Sequence, residues 1–499
     1  MKITINGNLG VNRYYVQSLC QLFFPGEKFS EKEALTEETP VLELSVDKNG
    51  DGTAVTAKAS FTLGGKNVTE TSELEIKKSA DEVKQAKKAL GEAIYKAGSA
   101  LTGKTPSWGM LVGIRPAKLA LELLDAGKSP MAVRKHLRHE FLVNPKKASL
   151  CIDVAQNEKA ILELAPEDTC SLYISIPFCP SKCAYCSFVS YSTNRLLSMI
   201  PDYVDRLCRD IESAARQIER AGKRLITVYI GGGTPTVLTE NELERLLSAV
   251  NKSFDTSALL EFTLEAGRPD TITPEKMEIA KRYGVTRVSI NPQTLNNAIL
   301  ENIGRKHTAE DFYKAYEIAR ASGIKDINCD LIAGLPGESY PSFAKSVDSV
   351  IALAPENITV HTFCVKKSAE IRTSESNIFK RSGNDTAKSV DYAQLRMKNS
   401  GYKPYYMYRQ KNAASNLENV GFSTDGHMGI YNVLIMEEKH TIFALGAGAV
   451  AKFVKTDENG IIKIQRIYEP KYPYEYMRED EAENEKRYFD TIDSFFFGK

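Results

Sequence analysis

At 499 residues the chain exceeds what one ordinary hydrophobic core supports, so two or three domains are expected. Its 65 Lys and Arg against 64 Asp and Glu leave a net charge of +1 with 26% charged residues, which argues against a broadly basic surface for nucleic acid or membrane. Met1-Lys-Ile-Thr-Ile-Asn-Gly7 lacks an apolar leader, no run approaches a membrane span, and the nine cysteines are odd in number with their tightest grouping at metal spacing rather than in a disulfide framework, so a reducing, cytoplasmic setting is expected.

From residue 1 to about 165 the pattern is mixed. Alternation over 42–46, 55–63 and 68–76 predicts three strands with one apolar face, joined by turns at Asn49-Gly50 and Gly64-Gly65. Asp47 to Gly52 looks like the start of a calcium loop. The twelfth position would be Lys58, however, where a bidentate Glu is required, so calcium is set aside. Val83, Ala86, Leu90, Ile94 and Ala97 recur at helical spacing and predict a helix stopped at Gly98. Pro106 to Pro116 holds the only tryptophan, Trp108, and Arg134, Lys135, His136, Arg138 and His139 form a basic turn read as a solvated face. A small α+β domain of unnamed role is expected here.

Beyond 166 short β-branched runs alternate with amphipathic helices, the rhythm of parallel βα units. A strand over 172–177 leads into Cys179-Pro-Ser-Lys-Cys183-Ala-Tyr185-Cys186, and a helix striped by Tyr203, Leu207, Ile211, Ala214 and Ile218 follows. Further strands are predicted over 224–230, 260–265, 286–290, 325–331 and 357–361, which makes six repeats and an α/β partial barrel over about 166–375. Ligand-binding groups in such sheets collect at the C-terminal ends of strands. Gly231-Gly232-Gly233-Thr234, Glu265, Gln293, Arg305 and Asp330 all fall at or just past those ends. Taken singly, solvation or capping explains each of these polar residues, and a turn explains the glycines.

The Cys-x3-Cys-x2-Cys spacing, with no histidine or fourth cysteine beside it, makes an incomplete cage. A structural zinc site closes itself with four protein ligands, and an iron-sulfur cube normally takes four thiolates, so three would leave an iron open. Three unrelated core cysteines are the plainer alternative.

The last stretch, 376–499, reads as an α+β domain. A helix over 385–400 is expected to be capped by Asp385 and stopped by Gly401. Tyr402 to Lys411 is dense in aromatic and cationic side chains, as a half-buried strand or a ligand surface would be. Leu445-Gly446-Ala447-Gly448-Ala449 would let backbone approach the mouth of the site, without the spacing of a dinucleotide fingerprint. A tail with Tyr472, Tyr474 and Tyr476 ends in an acidic helix.

Tyr173-Ile-Ser-Ile-Pro-Phe-Cys179, the cysteine spacing and Cys186-Ser-Phe188 resemble the radical S-adenosylmethionine (SAM) superfamily. Within it they are similar to the oxygen-independent coproporphyrinogen III oxidase-like family and its HemZ type. The segment Pro106 to Pro116 and the block Tyr405 to Ala449 are similar to that type as well. The resemblance implies a (β/α)6 barrel in which Cys179, Cys183 and Cys186 hold a 4Fe-4S cluster whose open iron takes the amino and carboxylate groups of SAM. By the same resemblance Gly232, Gly233 and Thr234 would lie along the methionyl group, Glu265 and Asp330 would hold nucleoside hydroxyls, Gln293 and Arg305 would anchor other polar groups, and Tyr173 and Tyr185 would flank the cofactor. It further implies radical oxidative decarboxylation of a tetrapyrrole, coproporphyrinogen III, by a monomer served by an electron donor such as flavodoxin or ferredoxin. Lys366, Lys367, Arg409 and Lys411 are the expected partners of its propionates. Phe188 stands where the oxidase proper carries Cys, a substitution shared with haem-chaperone relatives, so a chaperone or a different radical SAM reaction on a tetrapyrrole stays open.

Overall fold

The computed structural model describes residues 1–6, 12–29, 36–76, 82–113, 115–186, 188–364, 383–410 and 416–498. Lys366, Lys367 and Lys411 lie outside the described residues. The chain forms two units, Met1–Ile152 with Ser374–Ala387 and Arg409–Glu418, and Asp153–Thr373 with Lys388–Tyr408 and Asn419–Lys499.

In the first unit, strands β1 (Lys2–Asn6), β2 (Val41–Lys48), β3 (Ala54–Leu63) and β4 (Lys66–Glu75) form, among the described residues, one sheet in that order. β1 runs parallel to β2 and the rest is an antiparallel meander. Gly64 and Gly65 both take positive φ, 57° and 73°, as a two-residue hairpin turn demands. Leu42, Leu44 and Val46, with Val55, Ala57, Ala59 and Phe61, bury the alternating face under Ala86, Leu90, Ala93, Ile94 and Ala97 of helix Glu82–Thr102.

That helix does not stop at Gly98. A Cβ there would lie 2.5 Å from the Phe23 ring, so Gly98 is the gap that seats Phe23 of helix Arg13–Phe23. Gly103, at φ +68°, follows the helix end. The basic turn lies on helix Pro130–Phe141, which buries only Val133 and Leu137, so Arg134, Lys135, Arg138 and His139 are solvated as expected.

Trp108 is buried and donates its indole N–H to Glu418 at 2.7 Å, and Lys147 meets the same carboxylate at 2.6 Å. Arg409, expected among the propionate partners, belongs to this interior instead. It is 3% exposed, stacks over Trp108 and donates to the carbonyls of Leu111 and Gly113.

In the second unit the six expected strands are β5 (Thr169–Ile176), β6 (Arg224–Gly232), β7 (Glu261–Glu265), β8 (Arg287–Ser289), β9 (Asp326–Ala333) and β10 (Asn357–Thr362), all mutually parallel in sequence order. Their near-continuous burial is what a sheet covered by helices requires. Asp385, expected as a cap, lies in the first turn of helix Gly383–Asn399, where its charge opposes the positive end of the helix dipole.

The strands after residue 400 do not build a sheet of their own. β11 (Lys403–Arg409) and β12 (Glu418–Ser423) extend the β10 edge, while β13 (Thr441–Leu445), β14 (Val450–Thr456) and β15 (Ile462–Tyr468) extend the β5 edge. β13 pairs parallel with β5, and β12 antiparallel with β10. Among the described residues this gives one eleven-stranded sheet. The reason is general: an unclosed barrel leaves two rows of unpaired backbone groups that need partners.

Candidate functional site

Four barrel strands are buried except at one residue each: Tyr173 on β5, Glu265 on β7, Asp330 on β9 and His361 on β10. β6 adds Tyr229, which lies directly opposite Tyr173 in the ladder. Partly open polar side chains on strands whose neighbours are sealed mark the lumen of the open barrel. Tyr229 and Tyr431, the latter on helix Ile430–Glu437, stack at 4.5 Å, and Tyr173 stacks on both at 6.1 and 6.3 Å. Tyr229 donates its phenol to Glu265.

The two lumen carboxylates differ in character. Burial lifts the Glu265 carboxyl from the ordinary 4.5 to about 7, with the negative charge of Asp330 adding to the effect. Burial also acts against ionised Asp330, yet hydrogen bonds from His361 and Asn328 hold it below the ordinary carboxylate value. His361 Nε2 lies 3.5 Å and Asn328 Nδ2 2.8 Å from its oxygens. Gln293 crosses over β9 by accepting from Ile332 N–H and donating to the Asp330 carbonyl. These bonds hold it at φ +65°, a costly conformation for a residue with a side chain. Its Oε1 has no hydrogen-bond partner among the described residues although the residue is only 6% exposed.

The three glycines bring β6 against the cysteine loop. Gly232 has φ +110° and donates its N–H to Glu265 at 3.2 Å. A Cβ on Gly231 would lie 2.8 Å from a Glu265 oxygen, and one on Gly233 would lie 2.5 Å from the Phe178 carbonyl oxygen. Thr234 then donates its N–H to that carbonyl and places its hydroxyl 3.3 Å from Cys179 Sγ. Gly446 and Gly448 act in the same way after β13: added Cβ atoms would meet the Ser175 carbonyl at 2.5 Å and Val189 at 3.1 Å.

The cysteine loop is held by backbone bonds. Across its neck Cys179 N–H donates to the Tyr191 carbonyl and Tyr191 N–H donates to the Pro177 carbonyl, while Cys186 N–H reaches the Cys183 carbonyl and Ala184 N–H reaches the Ile303 carbonyl. All three cysteines are free thiols, and burial raises the thiol pKa of Cys179 and Cys186. A group that binds them as thiolates therefore displaces protons. Among the described residues no three His, Cys, Asp or Glu side chains gather closely enough to wrap a single metal ion. A four-iron cube does not ask for that, since each thiolate takes its own iron and the sulfurs stay apart.

Arg305 is 7% exposed and donates to the carbonyls of Gly267 and Asn291 and to the Tyr185 hydroxyl, which leaves its Nε without a partner among the described residues. Orphaned buried donors and acceptors, a glycine cradle and a loop of three thiols fit a cluster with a polar organic ligand beside it. Phe188, just beyond Cys186, is 69% exposed.

The expected residues thus fall into two adjoining groups. Tyr173, Glu265, Gln293 and Asp330 belong to the lumen, while Tyr185, Thr234 and Arg305 belong to the cysteine loop, with Gly232 and Gly233 joining the two. Four further side chains were not singled out in the sequence: Tyr229, Arg268, His361 and Tyr431. Strand-end position marks the first three, since Tyr229 precedes the glycines, Arg268 follows Glu265-Ala-Gly267 and His361 ends a predicted strand. Tyr431 carries no local signal.

The radical SAM superfamily is matched over residues 173–350, from Tyr173 to the helix after β9. The oxygen-independent coproporphyrinogen-III oxidase-like protein HemZ of Bacillus subtilis is 38% identical over 397 residues, 79% of this chain and 78% of that protein. This chain belongs to the oxygen-independent coproporphyrinogen III oxidase-like family of radical SAM proteins. The heme chaperone HemW of Bacillus subtilis is 36% identical to this family member over 198 residues, 39% of this chain and 51% of the chaperone. The solved coproporphyrinogen III oxidase HemN of Escherichia coli, a radical SAM enzyme, is 19% identical, covers 69% of this chain and 83% of its own, and has a TM-score of 0.48. Among the described residues no helix is long and apolar enough to cross a membrane.

Proposed function

We propose that this radical SAM family member carries out the oxidative decarboxylation of coproporphyrinogen III to protoporphyrinogen IX, with a 4Fe-4S cluster on Cys179, Cys183 and Cys186 and SAM in the barrel lumen. The observation that carries this reading is the lumen itself, in which Tyr173, Glu265 and Asp330 stand half-open on otherwise sealed strands beside the three-thiol loop. Held by Cys179, Cys183 and Cys186, the cluster with SAM would supply a radical able to take a hydrogen atom from a propionate β-carbon, so that carbon dioxide leaves, a vinyl group forms and the remaining electron passes to a one-electron acceptor. The protein's part is to bind, orient and exclude water. Glu265 and Asp330 accept from nucleoside hydroxyls, Gln293 Oε1 and the Arg305 Nε take the polar groups that would match them, and Tyr173 and Tyr185 flank the cofactor. Hydrogen bonds from His361 and Asn328 keep Asp330 an acceptor.

A second reading, a haem chaperone that keeps the cluster and hands on intact haem, is favoured by Phe188: an exposed ring occupies the place where the oxidase carries a thiol. Anaerobic incubation of reconstituted protein with SAM, a flavodoxin or ferredoxin reducing system and coproporphyrinogen III separates the two, with products read by mass. Vinyl products bear out the oxidase. Stoichiometric haem binding with no vinyl product replaces it with the chaperone, and tetrapyrrole products of other mass replace it with a different radical SAM reaction.

A further inference from the structure

Beside the three thiols lies a cation that neither the motif nor the assigned SAM contacts include. Arg268 sits three residues past the end of β7 and is only 3% exposed. Its fork is fully engaged. Nε and one terminal nitrogen grip both oxygens of Asp270 at 3.0 and 3.1 Å. The other terminal nitrogen donates to the carbonyl and hydroxyl of Ser181, at 3.3 and 3.0 Å, and lies 3.8 Å from Cys183 Sγ, within reach of an N–H···S hydrogen bond.

Ser181 is the middle residue of the spacer between Cys179 and Cys183, so one arm of the guanidinium both pins the loop and faces a sulfur. The neighbouring Arg305 spends its terminal donors on the Gly267 and Asn291 carbonyls and on Tyr185. The Cys179 sulfur lies 3.3 Å from a neutral group, the Thr234 hydroxyl, with either able to donate. Cys183 is therefore the sulfur with a charged donor at hand.

We propose that Arg268 is a positioning residue that raises the reduction potential of the cluster through Cys183, with Asp270 setting how much positive charge the sulfur feels. The proposal rests on the cluster reading above. Adding an electron makes the cluster and its thiolates more negative, so a hydrogen bond to sulfur and a nearby fixed cation both favour the reduced state. Arginine suits the task because it stays charged when buried and its rigid fork can hold a carboxylate and the loop together.

The test is an anaerobic potentiometric titration of the reconstituted full-length protein without SAM, followed by electron paramagnetic resonance, with iron, sulfide and melting temperature measured on each sample. Arg268→Met is expected to move the midpoint to a more negative value by about 59 mV, a tenfold change in the one-electron equilibrium. Arg268→Lys, which keeps the charge but cannot span both partners, is expected to fall between. Asp270→Asn removes the countercharge at a side chain 26% exposed, where folding tolerates it, and is expected to move the midpoint the opposite way. Opposite signs cannot come from general loosening of the loop. Unchanged midpoints at full iron content, or shifts of the same sign in the Met and Asn variants, overturn the proposal. Should Arg268→Met fail to fold, the sign of the Asp270→Asn shift decides alone. A wild-type protein that assembles no iron and sulfide overturns the cluster reading and this inference together.

Discussion

Under the proposed function, the raised carboxyl of Glu265 would make SAM binding depend on pH in a calculable way. With a pKa of about 7, about one Glu265 in eleven is ionised at pH 6 and about ten in eleven at pH 8. If the ionised form accepts the nucleoside hydroxyls, SAM affinity rises about tenfold from pH 6 to pH 8, and binding below pH 7 releases a proton. Glu265→Gln cannot ionise and is expected to lose this rise. SAM's own titrations are common to both proteins, so the difference between the two pH profiles isolates the carboxylate. Calorimetry of SAM binding to the anaerobically reconstituted protein, in buffers of different ionisation enthalpy, reads both the affinity and the proton count. A wild-type affinity equal at pH 6 and pH 8, or a slope that survives in the Gln variant, refutes the reasoning. The sign for stability runs the other way. The native state binds the Glu265 proton more tightly than the unfolded chain does, so the empty protein loses stability as pH climbs from about 4.5 through about 7. The upper bound on that loss is about 3–4 kcal/mol, and solvent reaching the half-open carboxyl lowers it.

Lys147→Met leaves Glu418 buried with its main cation gone. Denaturant unfolding should show a loss of about 3 kcal/mol, the low end for breaking a buried pair, because the Trp108 donor remains. Gly98→Ala forces a Cβ to within 2.5 Å of Phe23 and should cost about 1–3 kcal/mol in the same measurement; a neutral result would mean that helix Arg13–Phe23 shifts freely. Gly233→Ala drives a methyl to 2.5 Å from the Phe178 carbonyl, just before Cys179. Iron bound after reconstitution should fall while the melting temperature of the first unit stays put, and full iron incorporation would contradict this account of the glycine.

The barrel was readable because each of its strands is a short β-branched run set between helical stripes, and because the ends of those runs carry the polar residues. The cysteine loop was readable because its spacing is itself the message. What escaped has a physical reason in each case. Gly98 reads locally as a stop, and only the Phe23 ring, far off in sequence, shows that the missing Cβ serves packing. Helix Arg13–Phe23 buries Val16, Leu19, Cys20 and Phe23 at helical spacing, but it also carries polar residues and its mean hydropathy is low, so the stripe is faint until the sheet covers it. The strands after 400 have ordinary strand patterns, but nothing local says which sheet edge they join. Arg268 likewise looks like any charged residue after a strand until folding brings Ser181 and Cys183 to it.

The pairing of β13 with β5 has a consequence for how the protein is made. Cys170 to Ile174, the strand that launches the cysteine loop, meets Thr441 to Leu445 across one ladder, and the Ser175 hydroxyl then closes on the Ala447 carbonyl. A nascent chain has released the thiols long before it has released the segment that braces them. During synthesis the cysteine loop therefore waits on a late-arriving brace, and a chain cut short near residue 400 would leave the strand that leads into it with one side bare.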